Sequence, residues 1–366
     1  MTPRLWVIAG GTRTTASSRH RLWNYRPLLE ADGVELRWTE YLGGRTRSVL
    51  RAALTRARFL MALSSPPSAG AVLLIQKVLP PSAWVRRWKR AGHRVVYDFD
   101  DALYEHLSWG EPAGRAARRR RRFDRMLQLA DHVIAGSPPL ADYAKPRTAH
   151  VDVLYPSLDR ATLSAPPPRS HGPRAGVVLG WIGNDQSQRY LQALSPSLAP
   201  LFERHAELRL CVCSSRPPEL PPALSERLDF VPWSEEGERE ATARFDIAIS
   251  PMGTEPWSRA RGGRVSVLLS MAAALPVVAA PGGGLEALTA GQGIEFADSS
   301  DAWQRALDAL IQSPALRERR GAEARAVIDR EIWADVQYPK LYRILFGRER
   351  PTSSAGPSFA QASERS

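Results

Sequence analysis

Two rounds of one alternation govern what this chain can fold into. Short apolar strands and amphipathic helices follow one another from residue 5 to 155, stop at a Pro-rich stretch, and resume from 177 to 346. Such an alternation builds a parallel sheet covered on both faces, because each parallel crossover needs a connection long enough to hold a helix. The first round reads as strands at 5–9, 34–38, 71–75, 94–101, 132–136 and 151–155, with helices at 18–31, 45–63, 83–91 and 114–130. The second reads as strands at 177–182, 208–213, 228–231, 247–250 and 276–279, with amphipathic helices at 301–312, 315–328 and 332–346. Between them, 165–174 is rich in proline and has no apolar period, so it reads as a linker. A chain of 366 residues exceeds what one core usually serves. The expectation is two doubly wound α/β domains, 1–164 and 175–331, and a disordered Ser- and Pro-rich tail from 348 to 366.

Composition removes several classes. With 43% hydrophobic and 24% charged residues the chain reads as a soluble globular protein, and it has no run of 18 apolar residues to span a bilayer. The first apolar run, 5–9, is too short for a secretory signal, so the expected location is the cytoplasm. Two cysteines, Cys211 and Cys213, fall on one face of a strand and read as small buried hydrophobes. Seven scattered histidines and the lack of His-Glu-x-x-His, Gly-x-Ser-x-Gly or Walker patterns argue against zinc hydrolysis, serine catalysis and P-loop chemistry. The net charge of +12 favours anionic partners. Nucleic acid is not expected, because aromatic residues do not interleave with the basic runs.

Four segments carry candidate chemistry. The run Trp257-Ser258-Arg259-Ala260-Arg261-Gly262-Gly263-Arg264 lies between a strand and an apolar helix that begins near Val265. Two glycines let backbone N–H groups approach a ligand, the helix start favours an anion, and three guanidinium forks match phosphate oxygens. A diphosphate cradle and a solvated basic loop both fit that pattern. The second segment is Gly180-Trp181-Ile182-Gly183-Asn184, ending the first strand after the linker, where doubly wound domains meet their ligands. The third is Asp98-Phe99-Asp100-Asp101, three acids at a strand end, suited to a base, a metal or the pairing of neighbouring cations. The fourth, Ser17-Ser18-Arg19-His20-Arg21, opens the first helix after the Gly10-Gly11 turn, with Ser18 as a candidate cap.

These features stand in the order of one family. The chain resembles the family 4 glycosyltransferases of GT-B fold over residues 6–346. The resemblance rests on Ser17-Ser18-Arg19 with Arg21, Tyr25 and Pro27, on Val96 to Ala102, on Ala130 to Ser137, on Gly180 to Gly183, on Val231-Pro232-Trp233, on Phe245 to Pro251, and most on Met271 to Ala279. It implies two Rossmann-like domains facing across a cleft, with a helix at 332–347 crossing back to the N-terminal domain. It implies retaining transfer from a UDP- or GDP-linked sugar to a glycan, a lipid-linked or a small-molecule acceptor. No metal and no resident cofactor are implied. The Asp-x-Asp of Asp98 and Asp100 binds metal in a single-domain sugar-transferase architecture, which a two-domain chain does not match.

On that resemblance Arg261, Arg264, Asp98 and Asp100 are the expected catalytic residues. Gly183, Asn184, Trp233, Arg259, Gly262, Gly263 and Val265 are expected at the donor. Gly10, Gly11, Ser18, Arg19, Arg21 and Asp101 are expected on the cleft side of the N-terminal domain. One departure stands out. The family carries two glutamates eight positions apart, the second two residues before the Met of this helix, and here those places hold Arg261 and Leu269. A degenerate, non-catalytic binder of sugar nucleotides or glycans is therefore the alternative. The helices at 45–63, with five Arg and no acid, and at 114–130, with Arg118 to Arg122 in one run, suit the inner face of an anionic membrane as well as a solvated face.

Overall fold

The computed structural model describes residues 2–41, 49–64, 69–106, 111–163, 176–262 and 264–351. The expected linker at 165–174, Gly263 and the tail beyond 351 lie outside them. The chain divides into two compact units, Met1–Thr162 with Trp333–Ser366, and Leu163–Ile332.

The first unit runs β1 (Arg4–Ala9), α1 (Ala16–Arg21), α2 (Arg26–Ala31), β2 (Glu35–Glu40), α3 (Val49–Ser64), β3 (Val72–Gln76), α4 (Ser82–Arg90), β4 (Arg94–Phe99), α5 (Ala113–Leu129), β5 (His132–Ala135), α6 (Pro138–Ala144), β6 (Val151–Val153) and α7 (Arg160–Leu163). The second runs β7 (Val178–Ile182), α8 (Gln188–Arg204), β8 (Arg209–Ser214), α9 (Pro222–Ser225), β9 (Leu228–Pro232), α10 (Glu235–Arg244), β10 (Ile247–Ser250), α11 (Pro256–Ala260), α12 (Val265–Ala272), β11 (Val277–Ala279), α13 (Leu285–Thr289), β12 (Ile294–Phe296), α14 (Ser300–Gln312) and α15 (Pro314–Glu331). The last helix, α16 (Ala334–Phe346), packs in the first unit.

Each unit is built on one six-stranded sheet, ordered β2-β1-β3-β4-β5-β6 in the first and β12-β11-β10-β7-β8-β9 in the second. Every pairing is parallel. Residues in β3 and β7 are buried throughout, as strands covered on both faces must be. The strand order reverses between β1 and β3 in one sheet and between β7 and β10 in the other. Loops leaving the carboxyl ends of these strands diverge there and open a crevice.

In the first sheet, Leu5, Val7, Ala9, Leu74 and Val96 share a core with Leu22, Tyr25 and Leu29 of the α1–α2 segment. Tyr338, Leu341, Tyr342 and Leu345 of α16 complete that core. Each fully buried side chain of this size contributes roughly 1.5–3 kcal/mol, so α16 is integral to a unit from which about 170 residues separate it in sequence. Polar contacts fix its register: Tyr338 Oη donates to Leu28 O at 3.1 Å, and Arg94 Nη2 donates to Ile344 O at 3.1 Å. Arg350, expected in the disordered tail, instead pairs with Asp32 at 2.7 Å. The opposite sheet face carries Trp6, Tyr97 and Phe99. Trp6 meets Trp88 of α4 at 5.8 Å, and Phe99 meets Phe123 of α5 at 5.0 Å. Helix α3 lies on this side too, with Phe59 against Tyr41 at 5.1 Å.

Two local expectations are corrected. The helix read at 18–31 is α1 and α2 separated by a 3-10 turn at Trp23–Tyr25, because Pro27 suits a new helix start and not a helix interior. Ser18 does not cap α1; Thr15 holds the cap position, and Ser18 Oγ donates to Gln76 Oε1 at 3.1 Å.

Candidate functional site

In the second unit the site begins at Ser250, the carboxyl end of β10 beside the strand-order reversal. The loop that follows is not wholly irregular. Pro256 starts the short helix α11, with Glu255 in the cap position. Glu255, the only acid between 251 and 264, accepts from Tyr190 Oη at 2.5 Å and from Arg189 Nη2 at 3.2 Å. Tyr190 Oη also lies 2.7 Å from Ser258 Oγ. Burial alone would raise the Glu255 carboxyl, but hydrogen bonding led by Tyr190 outweighs it and holds the group below its ordinary value. Tyr190 and Arg189 sit on α8, so this carboxylate ties the loop after β10 to the helix after β7.

Arg264 is buried directly before α12. Its Nη2 donates to Ser250 O at 2.6 Å and Ser250 Oγ at 2.7 Å, and its Nη1 donates to Ala280 O at 2.5 Å. One guanidinium thus clasps the carboxyl ends of β10 and β11. Among the described residues no carboxylate pairs with it. Burial, with the Arg261 charge added, draws it down to about 9. Arg264 was expected to meet a leaving group directly; its two Nη atoms are occupied by the ends of the sheet, and the Glu286 carboxylate acts on its charge without pairing with it.

The Gly282-Gly283-Gly284 turn after β11 packs on the same loop. Its φ values are 117°, 72° and 76°, a run that side chains resist. Gly283 N donates to Arg259 O at 2.9 Å, and a Cβ on Gly283 would come within 2.8 Å of Arg261 O. The turn after β11 and the 259–261 segment, separate in sequence, thus pack against each other. Arg261 is half-buried with its guanidinium 4.9 Å from the Trp257 ring, and its Nε is buried with no hydrogen-bond partner among the described residues. Arg259 is exposed and Gly262 buried. Val267 and Leu268 N–H groups return to Arg264 O, while those of Val265 and Ser266 open α12 without an acceptor among the described residues. Gly263 lies outside the described residues.

The remaining donor-side candidates occupy the neighbouring strand ends. Gly183 follows β7, and a side chain there would strike Trp181 at 2.3 Å and Ser187 at 2.6 Å. Asn184 is exposed and accepts from Ser187 N at 3.0 Å, closing the turn into α8. Trp233 follows β9, is 37% exposed, and donates from Nε1 to Glu238 Oε1 at 3.0 Å.

In the first unit the acids separate into two roles. Asp98 is buried and takes Arg21 Nε at 3.1 Å on Oδ1, with the shortest Arg21–Asp98 contact at Nη2. Burial pushes the Asp98 carboxyl up against the pull of Arg21. Asp98, expected to be catalytic, and Arg21, expected on the cleft side, are thus bound to each other. Asp100 accepts from Ser17 Oγ at 2.7 Å and lies 3.3 Å from Lys77 Nζ, which also pairs with Asp101. Burial alone would raise Asp100; Lys77, Arg21 and Ser17 together outweigh it and hold the carboxyl below its ordinary value.

Lys77 and Gln76 are the residues that sequence reasoning missed. Gln76 is fully buried; its Oε1 accepts from Gly10 N and Ser18 Oγ, both at 3.1 Å, and its Nε2 donates to Ser17 Oγ at 2.7 Å. Lys77 has φ 58°, and Val78 N bonds back to Gln76 O at 2.7 Å, a tight three-residue turn. The available signal was a polar pair ending an all-apolar strand at a carboxyl edge. The space a side chain would need at Gly10 is filled by Gln76 O at 2.9 Å, and at Gly11 by Thr15 Oγ1 at 2.5 Å.

Arg19 is buried beside His20. His20 Nδ1 lies 2.8 Å from Ser157 O and must donate to it, so Nε2 accepts from Arg19 Nε at 3.2 Å. Burial, and then the Arg19 charge, pull His20 down to about 3. Below the unfolded value of 6.5 the unfolded chain binds a proton that the folded chain refuses. Stability contributed by neutral His20 is therefore present above pH 6.5 and lost as pH falls toward 3, by at most about 1.4 kcal/mol per pH unit. Denaturant unfolding at pH 7 and pH 5 is expected to show a larger drop for the wild type than for His20→Gln. Equal drops would mean His20 is not held neutral.

Residues 176–313 match the family model described as Glycosyl transferases group 1. None of the curated proteins matches the chain significantly in sequence. Among solved structures, the sucrose-phosphate synthase of Thermosynechococcus elongatus superposes with a TM-score of 0.67 at 14% identity, over 94% of this chain and 99% of that one. The fold is GT-B. Anabaena Alr3699/HepE, solved with UDP and glucose, gives a TM-score of 0.61 at 14% identity, over 94% and 99% of the two chains. The lipopolysaccharide outer core galactosyltransferase WaaB gives 0.61 at 12% identity over the same shares. At such identities the likeness is one of fold. No described helix is long and apolar enough to cross a membrane, and no described group of three or more His, Cys, Asp or Glu is arranged to hold a metal.

Proposed function

We propose that this protein is a glycosyltransferase that takes a sugar from a UDP- or GDP-linked donor, with retention, and passes it to a glycan, lipid-linked or small-molecule acceptor. The observation that carries this reading is the buried Arg264 guanidinium, without a carboxylate partner among the described residues, at the carboxyl ends of β10 and β11, under a loop bearing Arg259 and Arg261. A buried positive charge whose partners are carbonyls and a hydroxyl favours an anion nearby. The first N–H groups of α12 add to that field. A diphosphate there would take its direct contacts from Arg259, Arg261 and the Gly262, Val265 and Ser266 amides, with Arg264 shaping the loop and adding charge from below. As the bond from sugar to diphosphate breaks, these donors stabilise the growing negative charge, and the sugar passes through an oxocarbenium-like state. No metal is needed for that stabilisation. The group 1 family match over this unit and the UDP carried by the Anabaena protein support the reading.

Calorimetric titration with UDP and GDP, followed by release of nucleoside diphosphate from their sugars, tests it. Arg261→Ala is expected to lower kcat/KM by about a hundred- to a thousandfold. Turnover at the wild-type rate would remove the role given to Arg261. Because Arg261 and Leu269 stand where the family has carboxylates, a second outcome has structural grounds: donor binding with no release above background marks a non-catalytic binder. The anomeric configuration of the product, read by NMR, decides retention.

A further inference from the structure

Resting on the donor reading above, we propose that Tyr190 and Glu255 are positioning residues of the donor site: their bond latches the loop after β10 to α8 and so fixes where Arg259 and Arg261 stand.

The far end of that loop is held by Arg264, which grips Ser250 O and Ala280 O, and by Gly283 N, which bonds to Arg259 O. Its near end needs an anchor of its own. Helix α11 has five residues, far fewer than a helix needs to persist by itself. Pro256 opens it with a preset φ and contributes no N–H. Glu255 holds the cap position, yet its carboxylate makes no capping bond to the helix.

The carboxylate turns to α8 instead, where Tyr190 Oη donates to Oε1 at 2.5 Å. A carboxylate only accepts, so the phenol must give its single proton there. The phenol oxygen in turn accepts from Arg189 Nη2 at 2.6 Å, and it lies 2.7 Å from the hydroxyl of Ser258. Ser258 belongs to α11, so Tyr190 meets that helix both at its cap and in its middle. Tyr190 and Ser258 are buried, which keeps competing water from these bonds. Gly253 closes over them: a Cβ there would come within 1.8 Å of Glu255 Oε2 and 2.7 Å of Tyr190 Cε1.

Trp257 and Arg259 ride on α11, and Arg261, stacked on Trp257, follows directly. Freeing Glu255 would let this segment shift, and a misplacement of about 1 Å can cost roughly a hundredfold in rate. Arg261 stands where the family has its first carboxylate. The part left to Glu255 is to place that arginine, and contact with the sugar is not required of it.

Tyr190→Phe, Glu255→Ala and Glu255→Gln, each made in the full chain, test the proposal by two measurements. The first is turnover of the sugar nucleotide. Tyr190→Phe and Glu255→Ala should each lower kcat/KM by about ten- to a hundredfold. Together they should cost little more than the worse of the two, because both break one bond. Glu255→Gln keeps an oxygen for the phenol and should recover most of the rate. The second is amide hydrogen exchange without ligand. Residues 257–261 should exchange about tenfold faster in Tyr190→Phe, with the rest of the second unit and the melting midpoint nearly unchanged. Both results are required: unchanged exchange in Tyr190→Phe overturns the proposal, and so does undiminished turnover. An inactive Glu255→Gln beside an active Tyr190→Phe would put Glu255 on the sugar itself. A wild type that binds neither UDP nor GDP overturns the donor reading and the role at the donor with it, and exchange then shows separately whether the latch holds the loop.

Discussion

Arg264→Met is expected to destabilise the second unit by about 3–5 kcal/mol and to abolish binding of a nucleoside diphosphate. The substitution keeps the apolar stem and removes the guanidinium. Ser250 O, which keeps only Ala280 N at 3.1 Å, and Ala280 O, at the carboxyl ends of β10 and β11, then lose a charged donor while half-buried. Each such loss costs about 1–3 kcal/mol, and hydrogen bonds to a charged group lie at the upper end. Gly283 packs beside Arg264 Cγ and Cδ, a contact that the methionine stem keeps but that the guanidinium clasp no longer holds in place. Denaturant unfolding of the two variants separates structure from chemistry. Arg261→Ala should leave the midpoint nearly unchanged and remove activity. Arg264→Met should shift the midpoint as well. If Arg264→Met unfolds like the wild type, the clasp is not structural, and Arg264 would have to act on the ligand directly.

The second large effect is expected at the Arg21–Asp98 pair. Asp98→Ala should destabilise the first unit by about 3–5 kcal/mol, because it leaves a guanidinium buried without its carboxylate. Arg21 would keep one strong contact, Leu154 O, which cannot neutralise it. Arg21→Met combined with Asp98→Leu should recover most of the loss, since replacing both members of a buried pair by apolar groups is often close to neutral. A double-mutant cycle in denaturant measures the coupling. A small effect of Asp98→Ala alone would show that the pair is solvated in solution. Transfer activity in the recovered double variant would confirm that neither residue is catalytic.

Much of the architecture is legible in the residues themselves. Val72 to Gln76 and Val178 to Ile182 are apolar at every position or nearly so, which only a strand covered on both faces tolerates. The buried helix from Val267 to Ala272 was evident for the same reason, having no polar face to give to water. The short helix α11 was not evident, because five residues carry no period. The break between α1 and α2 was marked by Pro27, but the apolar spacing of Leu22, Tyr25 and Leu29 concealed it.

The site was legible only as a neighbourhood. Arg259, Arg261 and Arg264 look alike in sequence: three arginines within six residues, before a helix. The structure gives them three different environments: exposed, stacked on Trp257, and buried against carbonyls. Asp98 and Asp100 look equally alike, two residues apart, and differ because the strand ends between them: Asp98 lies within β4 and meets Arg21, while Asp100 lies just past the strand end at Ser17 and Lys77.

Sequence alone therefore determined the alternation, its two rounds, the strand ends where ligands collect, and the excess of positive charge. Those follow from local hydrophobic period and composition, which each segment carries with it. Tertiary structure decided which charges are compensated. Arg264 meets Ala280, Asp98 meets Arg21, and Gly283 meets Arg261 only because parallel crossovers bring separate strand ends together. The electrostatic character of each group depends on that neighbour and on the water it excludes.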